Sequence, residues 1–178
     1  DDPEVDDYIH RHGITLNDGE LIEMHPGFAE WIERASQRLN RGYGLIIDYG
    51  YPADQFFAEH RRAGTLKAYY QHGVSTETYR GIGKQDLTAH INFSEVEWHA
   101  RQRGFSQLGL TTQADLLGAL GIGDRLVHLR TNPALSSDDY LSVRAAVLRM
   151  IDPGAMGRFR ALFLGRNVAS ERVPAGLR

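Results

Sequence analysis

The sequence predicts an α/β fold, and three observations lead to this prediction. Five apolar residues recur at spacings of i, i+3, i+4, i+7 and i+11, which is one apolar stripe on a helix: Phe28, Trp31, Ile32, Ala35 and Leu39. A glycine turn and the continuous apolar run Leu45–Ile47 follow, as expected of a parallel strand covered on both faces. Near the end of the chain, "MGRFRALFLGR" predicts a strand that pairs antiparallel at or near the sheet edge.

Residues 1–25 are polar and contain two short strand-like pieces, around Tyr8–Ile9 and Leu21–Met24. The turn signal "NDG" at Asn17–Gly19 lies between them, which favours a β-hairpin. We therefore expect a connector or hairpin over 1–25, a main domain over 26–168 and a tail over 169–178.

The middle of the chain predicts a loop followed by a polar strand. Residues 52–85 are irregular and rich in glycine, aromatic and charged residues, which favours a functional loop or lid. "DLTAHINF" then predicts a strand with four polar side chains on one face: Asp86, Thr88, His90 and Asn92. Such a face meets water or a ligand, so both a site and an exposed edge strand remain open.

Capping residues mark the helices that follow. Ser94 predicts the N-cap of a helix that ends at Gly104, and "FSQLGL" predicts a strand. "TTQADLLGALG" predicts a helix capped by Thr111 or Thr112, and "SSDDYLSVRAAVLRMIDPG" a longer helix that Pro153 stops.

Composition excludes several functional classes. The 178 residues suit one domain, and a net charge of −3 with a pI near 6.2 gives no reason to expect nucleic-acid binding. The absence of cysteine excludes disulfides and thiolate metal sites, and no apolar run is long enough to span a membrane. No histidine pair has metal-ligand spacing, so no metal is expected, and His10, His12 and His99 are interpreted as surface residues. The opening "DDPEVDDYI" lacks an initiator methionine, which suggests a fragment of a longer chain.

The tip "DYG" that ends the predicted strand is a candidate site. Ligands of open α/β sheets lie beyond the carboxyl ends of parallel strands, where Asp48, Tyr49 and Gly50 would lie. A solvated turn is the alternative. The "GYG" and "GIG" sequences complete neither G-x-G-x-x-G nor a P-loop, and turn glycines account for them.

Several segments in order resemble one family: "GYGLIIDYGY", "TLKAYYQHGV", "IGKQDLTAHINFS", "TTQADLLGALGI" and "RAAVLRMIDPGAMGRFRALFLGR". From about Glu23 to Arg166 the chain is similar to the C-terminal half of MidA-like S-adenosylmethionine-dependent methyltransferases. The resemblance implies a class I methyltransferase (Rossmann-like) sheet with helices on both faces and an antiparallel last strand. Leu45–Asp48 would be its fifth strand, Phe105–Leu110 its sixth and Phe159–Leu164 its last.

The resemblance also implies a cofactor and a site. S-adenosylmethionine is the expected cofactor, with its main binding loop upstream of residue 1, so this chain alone should bind it poorly and be inactive. The catalytic candidates are Asp48, Asp86 and His90. The substrate-binding candidates are Tyr49, Gly50, Thr88 and Asn92. Family members usually have an acid where this chain has Asn92, which removes a charge from that strand.

Mitochondrial members of this family are complex I assembly factors that methylate an arginine of a respiratory-chain subunit, so a protein substrate is expected. The alternative is a non-catalytic binding or assembly module on the same scaffold; a nicotinamide-dependent Rossmann enzyme is disfavoured by the antiparallel last strand. We expect a cytoplasmic protein in a bacterium, or a mitochondrial-matrix protein in a eukaryote. A homo-oligomer is compatible with the sequence, although core packing explains Trp31 and Trp98 more simply.

Overall fold

The computed structural model describes residues 2–71, 73–169 and 174–177. The helices are α1 Pro3–His12, α2 Gly27–Arg38, α3 Ala53–Phe56, α4 Phe93–Gln102, α5 Gln113–Ala119, α6 Ile122–Arg130 and α7 Ser137–Ile151. The strands are β1 Gly42–Asp48, β2 Gly50–Tyr51, β3 Lys67–Tyr70, β4 Gly73–Ser75, β5 Asp86–Thr88, β6 Ile91–Asn92, β7 Ser106–Thr112 and β8 Arg160–Arg166. Short 3-10 turns cover Glu59–Arg61, Met156–Arg158 and Ala175–Leu177. Of the predicted tail, residues 170–173 and 178 lie outside the described residues.

The chain divides into two compact units. The first comprises Asp1–Trp31 and Gly50–Val96, and the second comprises Ile32–Tyr49 and Glu97–Arg178. Each unit has its own β-structure.

The second unit is built on a sheet with the strand order β1-β8-β7. The last strand, β8, lies in the middle and is antiparallel to both neighbours, with Leu45 opposite Phe163 and Leu110 opposite Leu162. The predicted antiparallel last strand is therefore confirmed. Ala161 and Leu162 of β8 are fully buried, and Leu116 of α5 joins the core beneath the sheet.

The prediction that Leu45–Ile47 is a parallel strand covered on both faces is wrong for this chain. The strand that pairs with β1 is the antiparallel β8, and burial alternates along β1. Leu45 and Ile47 are 50% and 42% exposed. A short apolar run does not reveal which strand will lie beside it, because periodicity reports burial and not strand direction.

Side chains cap two helices of the second unit; Thr112 is one of the two caps predicted for α5, and the cap at Ser136 is additional. Thr112 Oγ1 accepts a hydrogen bond from the backbone N–H of Asp115 (3.1 Å), and Ser136 Oγ accepts one from Asp139 N–H (3.1 Å). Helix α7 ends at Ile151, two residues before Pro153. Helix α6 was not predicted; it starts after Gly121, whose φ of +77° suits glycine.

The predicted hairpin at the start of the chain is wrong, because residues 3–12 form helix α1. Asp2 Oδ1 accepts a hydrogen bond from Glu4 N–H (3.0 Å), Pro3 occupies the first turn, and Gly13 ends the helix at φ +60°. The segment around Leu21–Met24 has no strand. The "NDG" turn does form, with Glu20 N–H donating to Asn17 C=O over 3.1 Å.

The predicted irregular loop over 52–85 contains regular structure. Strand β3 pairs antiparallel with β4 on one side and with β5 on the other, so a small three-stranded sheet has the order β4-β3-β5. Tyr69 and Tyr70 favour a strand at "KAYY". The strand is only four residues long and lies in a glycine-rich segment, so the sequence pattern does not reveal it.

"DLTAHINF" does not form one strand. Strand β5 ends at Thr88, the chain leaves the extended ladder at 89–90, and β6 pairs in parallel with β2, Gly50 opposite Ile91. Helix α4 begins at Phe93. The N-cap is Asn92 and not Ser94, because Asn92 Oδ1 accepts hydrogen bonds from Ser94 N–H (3.1 Å) and Glu95 N–H (3.4 Å).

Candidate functional site

A cluster of buried polar side chains lies in the first unit, where α1 meets the start of α4. Tyr8 is 2% exposed and Asn92 is fully buried. Asn92 Nδ2 donates a hydrogen bond to the Tyr8 hydroxyl oxygen over 3.0 Å. Burial raises the pKa of Tyr8 to about 12, against the smaller lowering effect of the Asn92 hydrogen bond. Tyr8 therefore keeps its proton at physiological pH, and Asn92 both caps α4 and ties it to α1.

Glu95 completes this buried polar cluster. One carboxylate oxygen lies 2.6 Å from Arg11 Nη1 and the other lies 2.7 Å from His12 Nε2. The side chains of His12 and Glu95 are only 5% and 6% exposed. The interpretation of His12 as a surface residue is therefore wrong; with α1 unrecognised, nothing in the sequence placed His12 beside a residue 83 positions away.

A second polar chain runs from Glu23 to His90. The Glu23 carboxylate accepts hydrogen bonds from Thr65 N–H, Thr65 Oγ1–H and Leu66 N–H, each over 2.7 Å. Thr65 Oγ1 in turn accepts a hydrogen bond from His90 N–H over 2.9 Å. Glu23 thus fixes the turn at 64–66, and that turn fixes the backbone of His90.

The His90 ring lies on an aromatic surface. Its centroid is 5.4 Å from that of Tyr51, and the Arg61 guanidinium carbon lies 3.8 Å from the centre of the Tyr51 ring. The structure therefore brings His90 together with Tyr51 and Arg61, neither of which the sequence singled out.

A cavity of about 320 Å³ in the first unit adjoins both polar groups. Its wall includes His12, Glu23 and Thr65. Asp54, Arg61 and other polar and aromatic residues complete the wall. A concave space of this size with a few convergent polar groups is typical of a small-ligand or side-chain site.

Asp86 and Thr88 lie on the small three-stranded sheet of the first unit. Asp86 is opposite Tyr69 and is exposed, whereas Thr88 is opposite Lys67 and is half-buried. The break at 89–90 separates both residues from the ladder that holds Asn92. The single polar face predicted for these four residues is therefore not formed as a continuous strand face.

Asp48 and Tyr49 belong to the second unit. Asp48 Oδ1 accepts a hydrogen bond from Tyr49 N–H over 2.8 Å, and the Tyr49 ring packs edge-on against Phe159 with centroids 5.6 Å apart. Asp48 is half-buried at the end of β1. One carboxylate oxygen thus closes the turn, and Oδ2 forms no hydrogen bond within the described part of the chain.

Gly50 lies against another strand and not against open space. A Cβ added to Gly50 would lie 2.2 Å from the carbonyl oxygen of Ile91. The glycine therefore permits the close approach of β2 and β6, which keeps Tyr51 beside the segment that carries His90 and Asn92.

Gly50→Ala is expected to destabilise the protein by about 1–3 kcal/mol, because the methyl group meets backbone that must move. Urea unfolding of the intact protein would measure the change. Gly118→Ala is the matched control, since nothing lies within 4 Å of its added Cβ within helix α5, where alanine is favoured over glycine. Equal stability of Gly50→Ala and the native protein would contradict the close approach.

His25 is a buried base that stacks on Phe28, with ring centroids 5.0 Å apart and an interplanar angle of 23°. Burial lowers the pKa of His25, and the nearby Glu23 and Glu95 carboxylates only partly oppose this effect. Its Nδ1 has no hydrogen-bond partner among the described residues. The folded protein therefore holds this imidazole in the neutral form.

The His25 contribution to stability should fall as the pH is lowered below about 6.5, the ordinary pKa of histidine. The unfolded chain takes up a proton there while the folded chain resists it, so the free energy of unfolding rises with pH across this window. Urea unfolding at pH 7 and pH 5 should show a smaller difference for His25→Phe, which retains the stacking, than for the native protein. The same difference in both would rule out His25 as a source of the pH dependence.

Comparison with known proteins shows both the fold and the family. The chain matches a crystal structure from Burkholderia thailandensis, described as a "likely methyl transferase" and bound to S-adenosyl-homocysteine, with a TM-score of 0.82 and 28% identity. It also matches a native crystal structure of an uncharacterised protein of the same superfamily and organism, with a TM-score of 0.81 and 28% identity. The model of a family described as "Putative S-adenosyl-L-methionine-dependent methyltransferase" matches residues 1–111. The chain belongs to this family, as the resemblance of its motifs predicted.

The two structural alignments cover nearly all of this chain but less than half of each crystal structure. The alignments cover 94% of this chain but only 42% and 44% of the two crystal structures, so the chain spans less than half their length. A search of curated proteins found no significant match. Among the described residues, no helix is long and apolar enough to cross a membrane, and no group of three acidic or histidine side chains is arranged to hold a metal ion.

Proposed function

We propose that this chain is the C-terminal half of a class I methyltransferase domain that transfers a methyl group from S-adenosylmethionine to an arginine of a protein substrate. The observation that carries the proposal is the match over 94% of the chain to a structure bound to S-adenosyl-homocysteine, the demethylated product of that cofactor. The sheet order β1-β8-β7 with an antiparallel middle strand supports a Rossmann-like assignment of β1, β7 and β8 as strands five, six and seven.

The described residues do not form a loop that would hold the methyl donor. The turn after β1 has one glycine, Gly50, and the backbone of Ile91 already occupies the space beside it. No donor contact is therefore assigned to this chain, and the proposal places the donor-binding loop upstream of residue 1. When bound, S-adenosylmethionine would supply an activated methyl group on its sulfonium.

The residues of this chain serve the acceptor in this proposal. A guanidinium must lose a proton as it is alkylated, and carboxylates can both orient it in bidentate fashion and favour that loss. Asp48 and Asp86 are the proposed carboxylates, and His90 is a proposed hydrogen-bonding group. Tyr49 and Thr88 would contact the acceptor, while Gly50 would act by allowing β2 to approach β6 and Asn92 by holding the start of α4.

Glu23 and Thr65 enter the proposal as residues that position His90. Their hydrogen bonds fix the backbone N–H of His90 at 2.9 Å from Thr65 Oγ1. Alignment of the reacting groups provides much of the rate of a displacement reaction. Glu23 and Thr65 would therefore affect the rate by holding His90 in position, although they do not touch the acceptor.

The test is methyl transfer by the intact protein. Tritiated S-adenosylmethionine is incubated with the protein and with subunits of a respiratory complex from the same cell, and labelled arginine is identified by mass spectrometry. Labelled methylarginine in one subunit is the expected result. Cofactor binding without labelling of any protein acceptor would overturn the arginine assignment.

One observation favours a second candidate, a non-catalytic assembly module. Both ends of the Asn92 amide are used in holding α1 and α4, at a position where the family resemblance implies an acid. A protein that keeps this scaffold but binds no cofactor in a titration would be such a module.

A bacterial cytoplasmic location, or a mitochondrial-matrix one in a eukaryote, remains part of the proposal.

A further inference from the structure

A second cavity, of about 440 Å³, is lined by strands β3 and β4 of the small sheet of the first unit and by the segment 80–85. The side chains of Ala68 and Ser75 project to one face of this sheet, where Ala68 is 1% exposed. The segment 80–85 forms the opposite wall. None of the residues proposed for methyl transfer lines this cavity.

The wall at 80–85 is a turn held by hydrogen bonds within the segment 77–85. Gln85 Nε2 donates hydrogen bonds to the carbonyl oxygens of Thr78 (2.7 Å) and Glu77 (3.2 Å), and Lys84 N–H donates to Gly81 C=O (2.9 Å). Gly81 has a φ of +64°, which the turn requires. The cavity is therefore formed before any partner binds, which lowers the entropy cost of binding.

Apolar side chains stand exposed around this cavity. Tyr70, on the same face of β3 as Ala68, is 51% exposed, and Tyr79 and Ile82, beside and within the segment 80–85, are 88% and 79% exposed. Exposed apolar side chains next to a cavity are typical of a protein-interaction site.

Among the described residues, the charged groups of the cavity wall are both cations, Arg80 and Lys84. Within the described ranges, Arg80 forms an ion pair with the exposed Glu77 carboxylate alone, over 3.2 Å, and Lys84 forms none. The acidic Asp86 alternates to the other face of the sheet, in the row with Tyr69 and Val74. The cavity thus combines an apolar interior with a cationic rim.

We propose that this cavity docks a peptide segment of the protein acceptor in which an apolar side chain lies next to a carboxylate. The apolar side chain would enter beside Ala68 and Tyr70, and the carboxylate would meet Arg80 and Lys84. The proposal rests on the proposed function for the identity of the acceptor. It adds that the acceptor is held at a surface other than the one where the methyl group is transferred.

The test measures binding of fluorescein-labelled peptides to the intact protein by fluorescence anisotropy. The probe has the sequence Gly-Phe-Glu-Gly-Phe-Glu-Gly; one control peptide replaces both glutamates with lysine, and another replaces both phenylalanines with glycine. The protein variants are Arg80→Glu/Lys84→Glu and the matched control Lys67→Glu, whose side chain projects to the opposite face of β3.

Saturable binding of the Phe-Glu peptide is expected, weakened about tenfold or more by the double variant and unchanged by Lys67→Glu. Both control peptides should bind more weakly than the probe. Equal binding of probe and lysine peptide, equal binding to the double variant, or no saturable binding to the native protein would each overturn the proposal. Titration of the same samples with S-adenosyl-homocysteine keeps the two proposals distinct: loss of cofactor binding overturns the proposed function, and loss of peptide binding alone overturns the docking pocket.

Discussion

Replacing Glu95 with glutamine is expected to lower the free energy of unfolding by about 3 kcal/mol, the cost of removing one partner from a buried ion pair. The Glu95 carboxylate contacts Arg11 over 2.6 Å and His12 over 2.7 Å, with 6% of its side chain exposed. Glutamine keeps the shape of the side chain, but it offers an NH₂ group to the guanidinium and removes the negative charge from the buried cluster. Urea unfolding of the intact protein at pH 7 would measure the change.

Glu97→Gln is the control for this prediction, because Glu97 lies on the same helix, two residues after Glu95. Its ion pair with Arg101 is on the surface, with 62% of the arginine side chain exposed, so a loss below about 1 kcal/mol is expected. Equal losses for the two variants would show that the buried polar cluster does not join α1 to α4 as described.

Replacing either Asp48 or Asp86 with asparagine is expected to reduce methyl transfer by about a hundredfold, the lower range for loss of a proton-accepting group. The amide keeps the size of each side chain but can neither pair with a guanidinium nor accept its proton. The reduction should appear in kcat, with affinity for S-adenosyl-homocysteine unchanged, because the proposal gives these residues to the acceptor. Initial rates with the labelled donor, and a parallel cofactor titration, would measure both quantities.

Asp138→Asn provides the matched control, as Asp138 lies in the first turn of α7 and is exposed. Its rate should equal that of the native protein. If Asp48→Asn and Asp86→Asn methylate the acceptor as fast as Asp138→Asn, the assignment of the acceptor carboxylates is wrong.

The elements that the sequence predicted well are those set by local signals. The apolar stripe of α2, the Thr112 cap of α5 and the Pro153 stop after α7 act within a few residues, so their effects can be read directly. Helix α1 carried the same kind of signal in Asp2 and Pro3, but the polar sequence that follows resembled a connector. Asn92 and Ser94 are both good caps, and only tertiary packing against Tyr8 decides between them.

The parts of the site that could not be predicted depend on contacts between distant residues. Glu95 and His12 are 83 positions apart, and Thr65 and His90 are 25 apart. No spacing rule joins such residues, since the fold alone brings them together. His90 was identified because it lies in a polar strand-like run, whereas Glu23 and Thr65 have no comparable pattern and emerge only from their hydrogen bonds.

Isothermal titration of the intact protein with S-adenosyl-homocysteine tests whether the protein binds the product of the methyl donor. We expect saturable binding at a single site, retained in Asp48→Asn and Asp86→Asn because those residues serve the acceptor. Absence of binding by a folded native protein would contradict the assignment as a methyltransferase and leave the assembly module as the function of this scaffold.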